Sequence, residues 1–255
     1  MYKISKYVIL DILRNKFVLG YGFFIFLVTF ALLNLEGESS KSMVSILNIV
    51  LLVLPLIAIV FATIHFYNSY EFIEMMLSQP VKRSWILMSE YLGVCISFSL
   101  AYTVGMGIPL LLYGQTGIMG DLLVAGILLT FVFVSLASLS SVVAKDKARG
   151  IGVSLLLWFF FTVIYDGIIL ILLFTFNDYP VEKLMLLVTS LNPIDLVRVS
   201  ILTKMDSAAM MGYTGAVFKE MMDGFTGTLF SVAVLSAWII LPMVLAVRIF
   251  NKKDI

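Results

Sequence analysis

The chain has one cysteine, Cys95, and one histidine, His65, among its 255 residues. A lone thiol cannot close an internal disulfide, and with neither residue repeated there is no nucleophile pair and no zinc site. The motifs G-x-x-x-x-G-K-[ST] and H-E-x-x-H are missing too, so the chain lacks its own ATP-hydrolysing machinery and any familiar catalytic constellation. It reads as a non-enzyme that binds no cofactor or metal of its own. Charge is scarce: 17 basic and 16 acidic side chains, 13% of the residues, leave a net charge of +1. That balance gives no polyanion signature, which argues against nucleic acid as a partner.

What the chain has in excess is apolar surface, with 61% hydrophobic residues and a mean hydropathy of +1.07. So few charges cannot polarise the surface of a soluble 28.5 kDa fold, and the solvent is therefore mostly the lipid bilayer. A helix needs about 20 mostly apolar residues to cross ~30 Å of hydrocarbon. Six stretches qualify, at 17–35, 43–70, 91–113, 122–144, 150–177 and 224–247, and they predict a single all-α membrane domain over 1–255. A further apolar stretch, 184–194, is too short to span and reads as interfacial or re-entrant.

Lys and Arg favour the cytoplasmic side. With the N-terminus inside, the inner segments carry twelve basic residues and the outer segments five, so both termini are expected in the cytoplasm. A multi-pass protein of the cytoplasmic (inner) membrane follows. A cleaved signal peptide competes for the N-terminus, with Lys3, Lys6, Arg14 and Lys16 ahead of an apolar stretch. That stretch is longer than the usual ~7–15 residues, and Asn34-Leu35-Glu36 offers no small-residue cleavage site.

Between the spans, 3–16 reads as a short interfacial helix that Asp11 keeps from being cleanly amphipathic. The loop 71–90 contains Pro80, which cannot continue a helix but suits a first turn, so two helical pieces should meet near Ser78 to Pro80. Such an elbow presents Glu71, Glu74, Lys82 and Arg83 beside apolar groups; a plain hairpin that touches nothing is the alternative. The loop 178–223 is long for a structureless connection and is expected to be partly helical. Asn192-Pro193-Ile194-Asp195 resembles a helix start with Asp195 accepting from backbone N–H groups, and 196–202 is apolar enough for the membrane surface. Met205, Met210, Met211, Met221 and Met222 gather there, as soft Cu(I) ligands or as gap-filling packing. The glycine pairs Gly105-Met106-Gly107 and Gly150-Ile151-Gly152 fit close helix–helix contact.

Two ionisable groups lie within spans, where charge is expensive and usually turned inward. Asp166 sits about 24 Å along the fifth span at ~1.5 Å per residue. It could line a pathway, pair with Arg198 or Lys204, or cap local structure. His65 lies close to the inner end of the second span and suits an interface better than a ligand set.

The loop 71–90 resembles the coupling segment of the permease subunits of type-2 ABC exporters. Glu74, the run Met75-Met76-Leu77, Ser78, Gln79, Pro80, Val81 and Lys82-Arg83 follow the family's order, and Ile86-Leu87 and Gly93 come after without a gap. Glu71-Phe72 replaces the family's Gly-Thr, and Ser89-Glu90 its Gly-Lys. Within the family the whole chain is most similar to permeases that serve maturation of nitrous oxide reductase. Its length, six spans, basic loop 145–149, Trp158 with Tyr165-Asp166, and Asn192-Pro193-x-Asp195-x-x-Arg198 carry that similarity. The resemblance implies a permease homodimer, a cytoplasmic ABC ATPase subunit that binds the ATP and Mg, and a periplasmic β-helix protein on the outer loop. It further implies export of a sulfur species, or mechanical signalling, for copper–sulfide cluster assembly. Glu71, Glu74 and Ser78 to Arg83 would then take the ATPase's push, Asp166 and His65 would serve translocation or gating, and Asn192, Pro193, Asp195 and Arg198 would hold the outer partner. An exporter of a drug, peptide or lipid without a periplasmic partner is the alternative.

Overall fold

The computed structural model describes residues 2–35, 39–78, 81–113, 117–175, 187–205 and 224–252. Regular structure among them is entirely helical: α1 (Tyr2–Leu13), α2 (Lys16–Leu35), α3 (Ser39–Asn68), α4 (Tyr70–Leu77), α5 (Arg83–Tyr113), α6 (Gly117–Val143), α7 (Lys147–Phe159), a π-helical turn (Phe160–Ile164), α8 (Tyr165–Thr175), α9 (Pro193–Leu202) and α10 (Gly224–Lys252). Six helical stretches are long and apolar enough to cross a membrane: Lys16–Asn34, Lys41–Asn68, Arg83–Tyr113, Gly117–Val143, Lys147–Leu172 and Thr226–Lys252. The chain is an all-α membrane protein. Six crossings bring both termini to one end of the bundle, the terminal end; the opposite end carries α9.

The third span starts at Arg83, ahead of the charge-free stretch that marks it in the sequence. Neither glycine nor proline interrupts 83–92, Trp85 N–H donates to the Lys82 carbonyl at 2.9 Å, and Ile86, Leu87 and Glu90 are buried. Helix α1 is set against α5 rather than lying alone, because Val8 and Ile12, four residues apart and so on one face, are buried against it.

Helix α6 is the centre of the bundle and touches α3, α5, α7, α9 and α10. Bilayer lipid is as apolar as leucine, so close packing and internal hydrogen bonds hold such helices together. Small residues let the backbones approach: a Cβ on Gly105 would meet the Gly22 carbonyl at 2.5 Å, and one on Gly126 would meet the Tyr102 ring at 2.5 Å. Hydroxyls add the polar links. Ser154 of α7 lies 2.7 Å from Thr63 of α3 and 2.6 Å from Ser140 of α6. Ser138 of α6 donates to the Met243 sulfur of α10 at 3.6 Å.

Gly126 tests this packing. Gly126→Ala forces a methyl into the fully buried Tyr102 ring and should cost about 1–3 kcal/mol, read as a lower midpoint of thermal unfolding in detergent. Adding Tyr102→Leu should recover most of the loss. Gly152→Ala, where nothing lies within 4 Å, should leave the midpoint unchanged.

Candidate functional site at the two ends of the bundle

At the terminal end, α4 follows α3 after the single residue Ser69. Its Ile73 and Met76 are buried, while Glu71 and Glu74 are exposed. The helix stops at Ser78, whose hydroxyl donates back to the Met75 carbonyl at 2.7 Å. Gln79 and Pro80, the expected elbow, lie outside the described residues. Beyond them Val81 packs on the core, Lys82 is exposed and Arg83 is half-buried at the start of α5. Ser84 and Asn251 exchange hydrogen bonds at 3.2 and 3.4 Å, tying the return arm of this hairpin to the end of α10. A cleft of about 620 Å³ opens beside α4, lined among others by Tyr70, Glu71 and Ile73 on one side and Ser141, Val142 and Lys145 on the other. The far wall is the end of α6 and its turn into α7. Asp146 caps α7 by accepting from Arg149 N–H at 2.8 Å, and Lys147 donates to Asn68 at 2.8 Å.

Helices α3 and α5, the two arms of the hairpin, pack mainly on α6, α2 and α1 and meet each other at few points. At one such point His65 Nε2 lies 2.8 Å from Glu90 Oε2, with the Glu90 side chain 2% exposed. Phe61 stacks on His65 and also meets Phe98 of α5 at 4.7 Å between ring centres. Tyr7 and Asp11 of α1 line the same small cleft as His65 and Glu90. A carboxyl group this deep needs a hydrogen-bond partner, and the His65 ring nitrogen is within reach of it.

At the opposite end, α9 lies among the spans. Ile194, Leu196, Val197 and Ile201 are all buried against α6, α10, α3 and the π-turn. The membrane-surface position expected for 196–202 is therefore replaced by packing among the spans, where its apolar side chains are covered and its Asp195 and Arg198 are paired with each other and with Asp166. The cap of α9 is Asn192, whose Oδ1 accepts from Ile194 N–H at 3.0 Å, and not Asp195. The Asn192 amide donates at 2.8 Å both to the Phe161 carbonyl in the π-turn and to Asp195 Oδ2. A π-turn displaces carbonyls from the regular α-helical ladder, and Asn192 donates to one of them.

Arg198 Nη1 donates to Asp195 Oδ1 at 2.9 Å and to Asp166 Oδ2 at 3.0 Å. Of the partners open to Asp166 in the sequence, Arg198 is the one taken; Lys204 instead donates to Asp121 of α6 at 2.9 Å. Burial pushes the Asp195 carboxyl up to about 7, against the pull of Arg198 and with a further push from Asp166. The strap 187–205 is thus fastened to span five by Arg198 and to span four by Lys204. It is also tied to span six, where the Trp238 indole donates to the Ser190 carbonyl at 3.2 Å. Met205 is buried; Met210, Met211, Met221 and Met222 lie outside the described residues.

A family model for ABC-2 family transporter protein matches residues 5–255. The chain belongs to the ABC-2 transporter family. It is similar to the probable ABC transporter permease protein NosY of Pseudomonas aeruginosa, 27% identical over 83% of this chain and 85% of that protein. It is also similar to the probable ABC transporter permease protein NosY of Stutzerimonas stutzeri, 24% identical over 99% and 98%. This ABC-2 permease therefore carries two separated groups of candidate residues. Glu71, Glu74, Ser78, Val81, Lys82 and Arg83 gather at the terminal end beside His65, while Asp166, Asn192, Pro193, Asp195 and Arg198 gather at the other. His65 and Asp166 belong to different ends.

Two partners were missed in the sequence. Glu90 looks like the last charge of a loop, yet it stands one residue before the apolar stretch and opposite the chain's single histidine, which was the available signal. Asp121 stands just ahead of an apolar stretch in the same way. Removing the Glu90 partner by His65→Ala should destabilise the ABC-2 permease by about 3 kcal/mol, the low end for breaking a buried pair. Glu90→Leu added to it should restore part of that loss, as read by thermal unfolding of the single and double variants.

Proposed function

We propose that this chain is the membrane subunit through which a separate ATPase drives movement from one face of the bilayer to the other. One observation carries the reading. Helix α6 lines the α4 cleft with Ser141 and Val142 at its terminal end, and near its other end Asp121 is paired to Lys204 of the strap. Its 27 residues make a rod about 40 Å long at ~1.5 Å per residue, gripped on most sides by neighbours. A push on α4 enters the bundle through α3 and α5, the helices it packs on, and both of these pack on α6.

The basic residues of the terminal end put it in the cytoplasm of a cell whose inner membrane the chain spans. There the exposed Glu71, Glu74 and Lys82, with Arg83, offer charged contacts to a NosF-like ABC ATPase, which supplies the ATP and Mg site that this chain's sequence lacks. The strap faces the periplasm, where a NosD-like β-helix protein docks on the segment holding Asn192, Pro193, Asp195 and Arg198. Two copies of the permease pair with two ATPase subunits. The resemblance to NosY supports a narrower role in copper–sulfide cluster assembly of nitrous oxide reductase, through export of a sulfur species or transmission of motion.

Coupling is tested by co-expressing the chain with its ATPase and comparing ATP hydrolysis with and without the permease. Glu74→Ala combined with Lys82→Ala, both at exposed positions, should abolish most of the stimulation while the stability of the permease stays within about 0.5 kcal/mol of the parent, as for ordinary surface changes. Undiminished stimulation in that double variant, or a solubilised chain that never retains an ATPase, would count against the reading.

A further inference from the structure

The cleft of about 620 Å³ beside α4 has an apolar floor and a charged wall. Phe66 of α3, Val142 of α6 and Phe250 of α10, all buried in the last turns of their helices, make the floor together with Leu87 from the start of α5. Lys145, Asp146 and Lys147 line the cleft just past those ends, where α6 turns into α7. Span four is 27 residues long, about 40 Å at ~1.5 Å per residue, which matches the roughly 40–45 Å of a bilayer measured across both headgroup layers. Where such a span ends, headgroups begin. The cleft therefore passes from apolar to charged at the level where a phospholipid does the same.

Both lysines of the wall keep their charge open to a ligand. Lys147 donates to the Asn68 side-chain oxygen at 2.8 Å, a partner that carries no charge. Lys145 is exposed and, among the described residues, has no acid within ion-pair distance. Of the two acids on the lining, Asp146 is committed to Arg149, through the N–H at 2.8 Å and the guanidinium at 3.2 Å. Glu71 stands across the cleft on α4 and pairs with neither lysine. The edge of the cleft is fixed as well: the Tyr67 hydroxyl donates to the Ser141 carbonyl at 3.2 Å, and the Tyr67 ring fills the space that a Cβ on Gly150 would take. Helices α3, α6 and α7 are thus locked together around an opening that exists before any ligand arrives.

We propose that this cleft holds the headgroup of an anionic phospholipid, its phosphate on Lys145 and Lys147 and its glycerol and upper acyl chain on the floor of Phe66, Val142 and Phe250. Basic pockets between spans at the cytoplasmic side of a membrane suit such headgroups. A free phosphate would use the lysines and leave the floor bare, whereas a lipid covers both. An anionic lipid is favoured over a choline lipid, whose ammonium would bring a further positive charge to a wall that already has two. The site goes beyond the coupling role of α4 and stands whether or not an ATPase contacts that helix.

The test titrates short-chain phosphatidylglycerol into the full chain, stripped of lipid in a neutral detergent, and counts bound lipid by native mass spectrometry. The parent should bind phosphatidylglycerol more tightly than short-chain phosphatidylcholine. Lys145→Ala should weaken binding about fivefold, the usual contribution of one lysine at an anionic lipid surface. Ala144→Trp places a ring in the cleft without touching a charge and should abolish binding. Lys252→Ala, exposed at the same end but off the lining, should bind as the parent does. The proposal is overturned if Lys145→Ala binds like the parent, or if Lys252→Ala loses as much as Lys145→Ala, which would mean diffuse attraction to a basic surface. Equal binding of the choline lipid overturns it too, as does displacement of the lipid by an equal concentration of inorganic phosphate. Loss of the bound lipid when the ATPase joins the complex would assign the cleft to that protein and overturn it equally.

Discussion

A charge withdrawn from water must find an opposite charge or a set of donors, and in a bundle this apolar each such pairing fixes one helix against another. Three pairings organise the molecule. His65 with Glu90 joins α3 to α5, Asp121 with Lys204 joins α6 to the strap, and Arg198 with Asp166 joins the strap to α8. Dispersion and small-residue contacts fill the space between, but they are tolerant of sliding. These pairings have one register each. They therefore determine which residues of neighbouring helices stand level, and with that the placement of every candidate functional group.

The fold divides into a stiff centre and two fastened ends. Helix α6 is enclosed by five neighbours, with hydroxyl links to α7 and a sulfur contact to α10. The spans at the periphery, α2 and α7–α8, face outward with large apolar side chains such as Phe23 and Leu156, as lipid-facing surfaces do. Movement between the ends is then more economically made by shifting whole helices than by bending α6. The two clefts at the terminal end lie beside the hairpin arms, where such a shift would be felt first.

The six spans were legible because length and freedom from charge are enough to mark a membrane helix, and a long apolar run has few alternatives. The pairing of Asp166 with a strap cation was one of three readings that the sequence left open, beside lining a pathway and capping local structure, and the fold chose it by bringing Arg198 alongside. The start of α5 was not legible: the charges of 83–90 look like loop when counted along the chain, and only the third dimension shows that Glu90 turns inward. The capping of α9 was misread for a related reason. Asn192 and Asp195 can both cap a helix, and the choice was made by the Phe161 carbonyl, which a neighbouring span presents to the Asn192 amide. Insertion of α9 into the bundle likewise depends on the gap between α6, α10 and the π-turn, a shape that no local pattern encodes.

The π-turn at Phe160–Ile164 winds one residue more than the ideal α-helix would use over the same rise. If it migrated along the fifth span toward Thr175, the segment it passed through would screw by roughly 100° about its axis and ~1.5 Å along it, the step of a single α-helical residue. Asp166, two residues beyond the turn, would swing away from the guanidinium without any helix tilting or unfolding. The Asn192 amide, bonded to the Phe161 oxygen inside the turn, would have to let go before any such step.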